Sequence, residues 1–150
     1  MKGGSPRNSK FRPTREMAFK FSDEPSLEKI RELQQKFAAD RNWGQYHTPR
    51  NLLLALVGEV GELAEIFQWK GEVKEGLPDF TDSEKEHVGQ EMGDVMLYLI
   101  RLAEKCQIDL PTAVLKKIKQ NGQKYPADQI YGKSHKYTAY QGNGDNSKQT

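Results

Sequence analysis

Apolar residues recur at helical spacing in four segments of the chain, and each segment opens on a recognisable start signal. Leu27, Ile30, Leu33 and Phe37 share one face of a helix predicted to begin at Ser26, after Pro25, and to run to about Asn42. Thr48-Pro49 pairs an N-cap hydroxyl with a proline at the first helical position, and predicts a second helix reaching Trp69 or Lys70. This is the most apolar element: Leu53 and Leu54 lie away from the Leu52, Leu56 and Leu63 arc, so it is expected to be buried nearly all round. Gly58 and Gly61 lie on a further side, where another helix is expected to approach closely. After a turn-rich linker over 71–80, Thr81-x-x-Glu84 is a capping box for a third helix extending to about Gln107. Asp109-Leu110-Pro111 starts a fourth, which passes through Val114 and Ile118 and ends near Lys124 because Tyr125 precedes Pro126. No segment alternates as a strand does. The expectation is an all-α, four-helix bundle, and its apolar second helix is more than three lean companions can cover, so the core is expected to be shared between subunits of an oligomer.

The same periodicity exposes an anomaly. Glu59-x-x-Glu62 and Glu91-x-x-Asp94 each put two carboxylates side by side on a helix face. With Glu59 at zero and about 100° per residue, Leu52, Leu56, Leu63 and Ile66 fall within roughly 60° of it, so Glu59 sits inside the apolar arc. Glu62 lies at the arc's edge. Glu91 and Asp94 flank Val88, Val95, Leu99 and Leu102, with Tyr98 on the same side. A buried carboxylate without a partner costs several kcal/mol, of order 5. Four hard oxygen donors on apolar seams therefore point to a divalent cation, Mg²⁺ with Mn²⁺ as a substitute, rather than zinc, which favours Cys and His. Surface charge or ion pairing accounts for a single such pair, and for Glu65; two pairs on neighbouring helices favour metal.

Other residues complement these acids. Lys117, Asn121 and Lys124 fall on one side of the fourth helix, where two cations and an amide form a candidate phosphate clamp; a solvated basic C-terminal turn is the plainer reading of them alone. Trp43, Trp69 and Tyr98 are candidates to stack a nucleobase and His47 to hydrogen-bond to it or to phosphate, although aromatics at helix ends are more often core or interface residues. Glu84-x-x-His87 matches half of a di-iron motif, and the second half is missing.

Composition narrows the setting. The 150 residues suit one domain, and 23 basic against 21 acidic residues leave a net charge of +2, which demands no nucleic acid. No run of 18 apolar residues or secretory signal pattern occurs, so no membrane contact is expected and the expected location is cytoplasmic, with a nuclear or mitochondrial pool left open. Cys106, the single cysteine, falls on the apolar side of its helix and is expected to be an inert core thiol. Residues 1–20 hold six basic residues with Gly and Pro, and are expected to be a flexible arm; 139–150 are expected to be a polar tail.

The run from Thr48 through Glu59, Glu62 and Glu65 to Trp69, followed by Glu91-x-x-Asp94 and by Lys117-x-x-x-Asn121-x-x-Lys124-Tyr125-Pro126, resembles the MazG-like all-α nucleoside triphosphate pyrophosphohydrolases, and especially their dCTP-hydrolysing eukaryotic members. The similarity spans about 21–138. It implies hydrolysis of the α–β phosphoanhydride of a deoxynucleoside triphosphate in a homotetramer, clearing dCTP and 5-modified dCTP from the nucleotide pool. It also implies that Glu59, Glu62, Glu91 and Asp94 are metal ligands and catalytic residues. Lys117, Asn121, Lys124 and Tyr125 would face phosphate, and Trp43, Trp69 and Tyr98 would form the base pocket. Gln34 stands where some relatives have histidine in that pocket, which leaves base preference open. A broader or dUTP-preferring pyrophosphatase, and a nucleotide-binding regulatory module without catalysis, remain alternatives; stable nucleic-acid binding through the arm is not expected.

Overall fold

A computed structural model of the chain describes residues 19–132. The expected arm, except for its last two residues, and the expected tail lie outside the described residues. Helix α1 covers Leu27–Asp40, α2 Pro49–Gln68, α3 Asp82–Lys105 and α4 Leu110–Lys124, with a short 3₁₀ turn at Trp43–Gln45 and a one-turn helix, α5, at Ala127–Ile130. No strand occurs among the described residues, and the chain is all-α as expected.

Each start signal works through its side chain. The Ser26 hydroxyl accepts from the Lys29 amide at 3.2 Å, and Thr48 accepts from Asn51 at 3.3 Å. At Thr81 the capping box closes in both directions: the Glu84 amide donates to the hydroxyl at 3.2 Å, and the Thr81 amide donates to the Glu84 carboxylate at 2.7 Å. Lys70 and Thr81 together hold the Glu84 carboxyl down to about 2. Asp109 accepts from the Thr112 amide at 3.3 Å and opens α4. The ends are set by backbone turns: Asn42 and Gln107 adopt φ of 53° and 56°, which stops α1 and α3 two residues before the predicted limits.

Helices α2 and α3 form the main packed pair, and α1 lies against α3. Lys70 at the end of α2 pairs with Glu84 at the start of α3, Glu59 and Glu62 meet Glu91 midway, and His47 before α2 reaches Arg101 late in α3. That order makes the two helices antiparallel. Leu52, Val88, Ile100, Ala103, Ala38 and Phe80 form the small buried core; full burial of a side chain such as Leu52 stabilises by about 1.5–3 kcal/mol.

Two expectations do not survive within the chain. The outer face of α2 is uncovered, with Leu53, Leu54, Val57 and Val60 about half exposed or more, and a Cβ on Gly58 or Gly61 would meet nothing within 4 Å. No helix among the described residues approaches there. Cys106 is exposed rather than core, because α3 ends at Lys105 and the cysteine caps the helix as the backbone turns away. No helix among the described residues is long and apolar enough to cross a membrane.

Candidate metal centre and adjoining cavity

The α2–α3 pairing brings the two acidic motifs together. One carboxylate oxygen each from Glu59, Glu62 and Glu91 lies within 4.8 Å of the others. Burial raises the Glu59 carboxyl above its ordinary value, and the charges of Glu62, Asp94 and Glu91 raise it further. His87, one turn before Glu91, sits 3.1 Å from Glu91 Oε1 through its Nε2, whereas Glu91 Oε2 is buried with no hydrogen-bond partner among the described residues. Mutual repulsion, an orphaned carboxylate oxygen and an all-oxygen donor set fit a hard divalent cation, which removes all three penalties at once. Asp94 stands apart from this triplet but close enough to act on Glu59 electrostatically.

Asp94 also lines a cavity of about 470 Å³ between α1 and α3. Ile30, Leu33, Phe37 and Leu97 give it apolar walls, Trp43 and Tyr98 are its polar-edged aromatics, and Gln34 and His47 supply further polar groups. Trp43 meets Phe37 edge-on at 5.7 Å between ring centroids and lies 6.3 Å from the His47 ring. The Tyr98 hydroxyl is pushed above its usual range by burial, then by Glu59 and Asp94, so it bridges cavity and acids. Gln34 Nε2 donates to the Leu97 carbonyl at 2.8 Å, and its Oε1 is buried without a donor among the described residues.

Other sequence candidates lie elsewhere. Trp69 caps the end of α2, is 88% exposed and does not line the cavity. Lys117, Asn121 and Lys124 sit on α4, which is exposed from Pro111 to Lys124, with Lys124 Nζ 5.4 Å from the centroid of the half-buried Tyr125 ring. Pattern reasoning missed Arg101, and noted His87 only as half of a di-iron motif rather than as the neighbour of Glu91. Arg101, only 2% exposed, donates from Nε to His47 Nδ1 at 3.1 Å and from Nη1 to Gln35 and Glu104. Its signal in the sequence was a cation between Ile100 and Leu102 in an apolar stretch.

A carboxylate cluster on two antiparallel helices beside an aromatic-edged cavity gives this all-α protein a candidate divalent-metal site. Residues 55–139 match the MazG-like family model, and the chain belongs to the MazG-like family. It is 52% identical over 120 residues to the dCTP pyrophosphatase 1 proteins of Mus musculus and Homo sapiens, covering 80% of this chain and 71% of each relative. A crystal structure of a pyrophosphatase from Archaeoglobus fulgidus superposes with a TM-score of 0.61 at 33% identity, covering 71% of this chain and 99% of that one.

Proposed function

We propose that the protein is a Mg²⁺-dependent nucleoside triphosphate pyrophosphatase whose substrate is dCTP, with Mn²⁺ as a substitute ion. The observation that carries this reading is the Glu59, Glu62 and Glu91 cluster with its orphaned Glu91 oxygen, set beside a cavity of nucleobase-compatible size and lining. The similarity to dCTP pyrophosphatase 1 supports the choice of base.

The balanced reaction is dCTP plus water to dCMP plus pyrophosphate. Oxygen from water adds to phosphorus of the α–β anhydride, the bridging P–O bond breaks, and pyrophosphate leaves with the electron pair. When bound, a divalent cation supplies charge neutralisation to the polyphosphate and lowers the pKa of water. Glu59, Glu62, Glu91 and Asp94 would hold it, and one of these carboxylates takes the proton released from water. Trp43 and Tyr98 hold the base from the cavity's aromatic edge, with Gln34 and His47 as polar contacts. Trp69, exposed on one chain, completes the base pocket only if a neighbouring subunit or a local closure brings it there.

Lys117, Asn121, Lys124 and Tyr125 bind the phosphates, which requires α4 to close over the acids or to meet those of a neighbouring subunit, since α4 is exposed along its length. The enzyme works as a homo-oligomer, a tetramer in this reading. The uncovered stripe of Leu53, Leu54, Val57 and Val60 supports the association.

A substrate panel tests the reading. Purified protein with Mg²⁺ should hydrolyse dCTP and 5-methyl-dCTP well ahead of dUTP, dTTP, dATP, dGTP and CTP, and EDTA should abolish turnover. Equal rates across the bases would overturn the dCTP assignment.

A further inference from the structure

Behind the cavity lies a polar network that the reaction itself does not use. Arg31 on α1 joins Glu28 at 2.6 Å and Glu104 at 2.8 Å; Glu104 in turn accepts from Arg101, which also bonds Gln35. A guanidinium buried as deeply as that of Arg101 is strongly destabilising when a partner is lost, so its contacts are fixed. Its remaining contact, Nε to His47 Nδ1, carries chemical information. Arginine nitrogens only donate, so Nδ1 must be the bare nitrogen and the imidazole proton must reside on Nε2. Burial and the charges of Arg101 and Lys105 lower the His47 pKa, which keeps the ring neutral. Among the described residues Nε2 has no hydrogen-bond partner, and His47 lines the cavity.

We propose that Arg101 is a positioning residue for base selection: it locks His47 as an Nε2–H donor, so the cavity favours a pyrimidine whose ring nitrogen is a bare acceptor. Cytosine presents such a nitrogen at N3. Uracil and thymine carry a proton there, so a donor would meet a donor. This inference rests on the proposed substrate site and explains how that site separates amino from keto bases.

The test pairs side-chain ¹⁵N NMR of the full-length protein with substrate analogues. The wild-type His47 ring, assigned by its loss in His47→Gln, should show the Nε2–H tautomer at neutral pH. 3-Deaza-dCTP, which lacks the N3 acceptor, should lose about 10-fold or more in kcat/KM, chiefly through KM. Arg101→Lys keeps a cation but not the Nε donor; it should mix the His47 tautomers and shrink the dCTP preference over both 3-deaza-dCTP and dUTP at least about 5-fold. If that variant does not fold, the His47 pair decides: the 3-deaza penalty should vanish in His47→Leu and persist in His47→Gln, whose amide still donates. An Nδ1–H tautomer in the wild type, or equal use of dCTP and 3-deaza-dCTP, overturns the proposal. Absence of any triphosphate turnover would instead sink the proposed function, and the NMR result would still decide the tautomer.

Discussion

Glu59→Gln separates the two roles assigned to the acidic cluster, because it should stabilise the metal-free protein while destroying its activity. At 4.8 Å, two unit charges repel by about 0.9 kcal/mol in water and about 3.5 kcal/mol at an effective dielectric constant of 20. Glu62 is exposed and its repulsion falls near the lower figure, whereas Glu91 is half-buried. Neutralising Glu59 also removes its burial penalty. After discounting for solvent screening and for repulsion that persists in the unfolded chain, the net gain is about 1–2 kcal/mol in EDTA. For a chain of this size that raises Tm by about 2–8 °C, measured at fixed protein concentration. Mg²⁺ should reverse the ranking. A cation at 100 times its Kd stabilises the wild type by about 2.7 kcal/mol, and the variant should lose most of that increment together with turnover, the latter by about 10³-fold. A variant that is less stable in EDTA, or that turns over at near the wild-type rate, would refute the assignment of Glu59.

The remaining predictions concern pH, capping and assembly. Glu59 has a raised folded-state pKa, so between about 4.5 and that value the folded chain binds more protons than the unfolded chain, and stability falls as pH rises through it. The advantage of Glu59→Gln in EDTA should therefore be largest near neutral pH and shrink toward pH 4.5; a difference independent of pH in thermal melts would contradict the charge explanation. Thr81→Ala breaks both halves of the α3 capping box and should cost about 1 kcal/mol by urea unfolding, with little effect on kcat. Val57→Asp, at the centre of the uncovered α2 stripe, should convert the assembly to a monomer of 17.2 kDa by light scattering; an unchanged mass would show that the interface lies elsewhere.

What could be read from the sequence was local, and what could not depended on distant partners. The starts at Ser26, Thr48, Thr81 and Asp109 were legible because a cap and the amide it serves lie within three residues. The juxtaposition of Glu59, Glu62 and Glu91 was legible because helical phase put acids on a face that apolar neighbours forced inward. Arg101 and His47 are 54 positions apart, and no periodicity announces that one fixes the proton of the other. Trp69 was grouped with Trp43 by residue type, but α2 ends just before it and leaves it in solvent on a single chain. Cys106 followed the apolar phase of α3 for one residue longer than the helix lasts. For α2, the apolar circumference was legible, but nothing among the described residues covers its outer stripe of Leu53, Leu54, Val57 and Val60.

The central claim is the bond that breaks. Its most direct measurement is the product stoichiometry of dCTP hydrolysis with Mg²⁺, resolving dCMP, dCDP, pyrophosphate and phosphate by ion-exchange chromatography. Equal amounts of dCMP and pyrophosphate, with neither dCDP nor phosphate and with no reaction in EDTA, are the predicted result. Formation of dCDP and phosphate, or Mg²⁺-dependent binding of dCTP without any product, would contradict it.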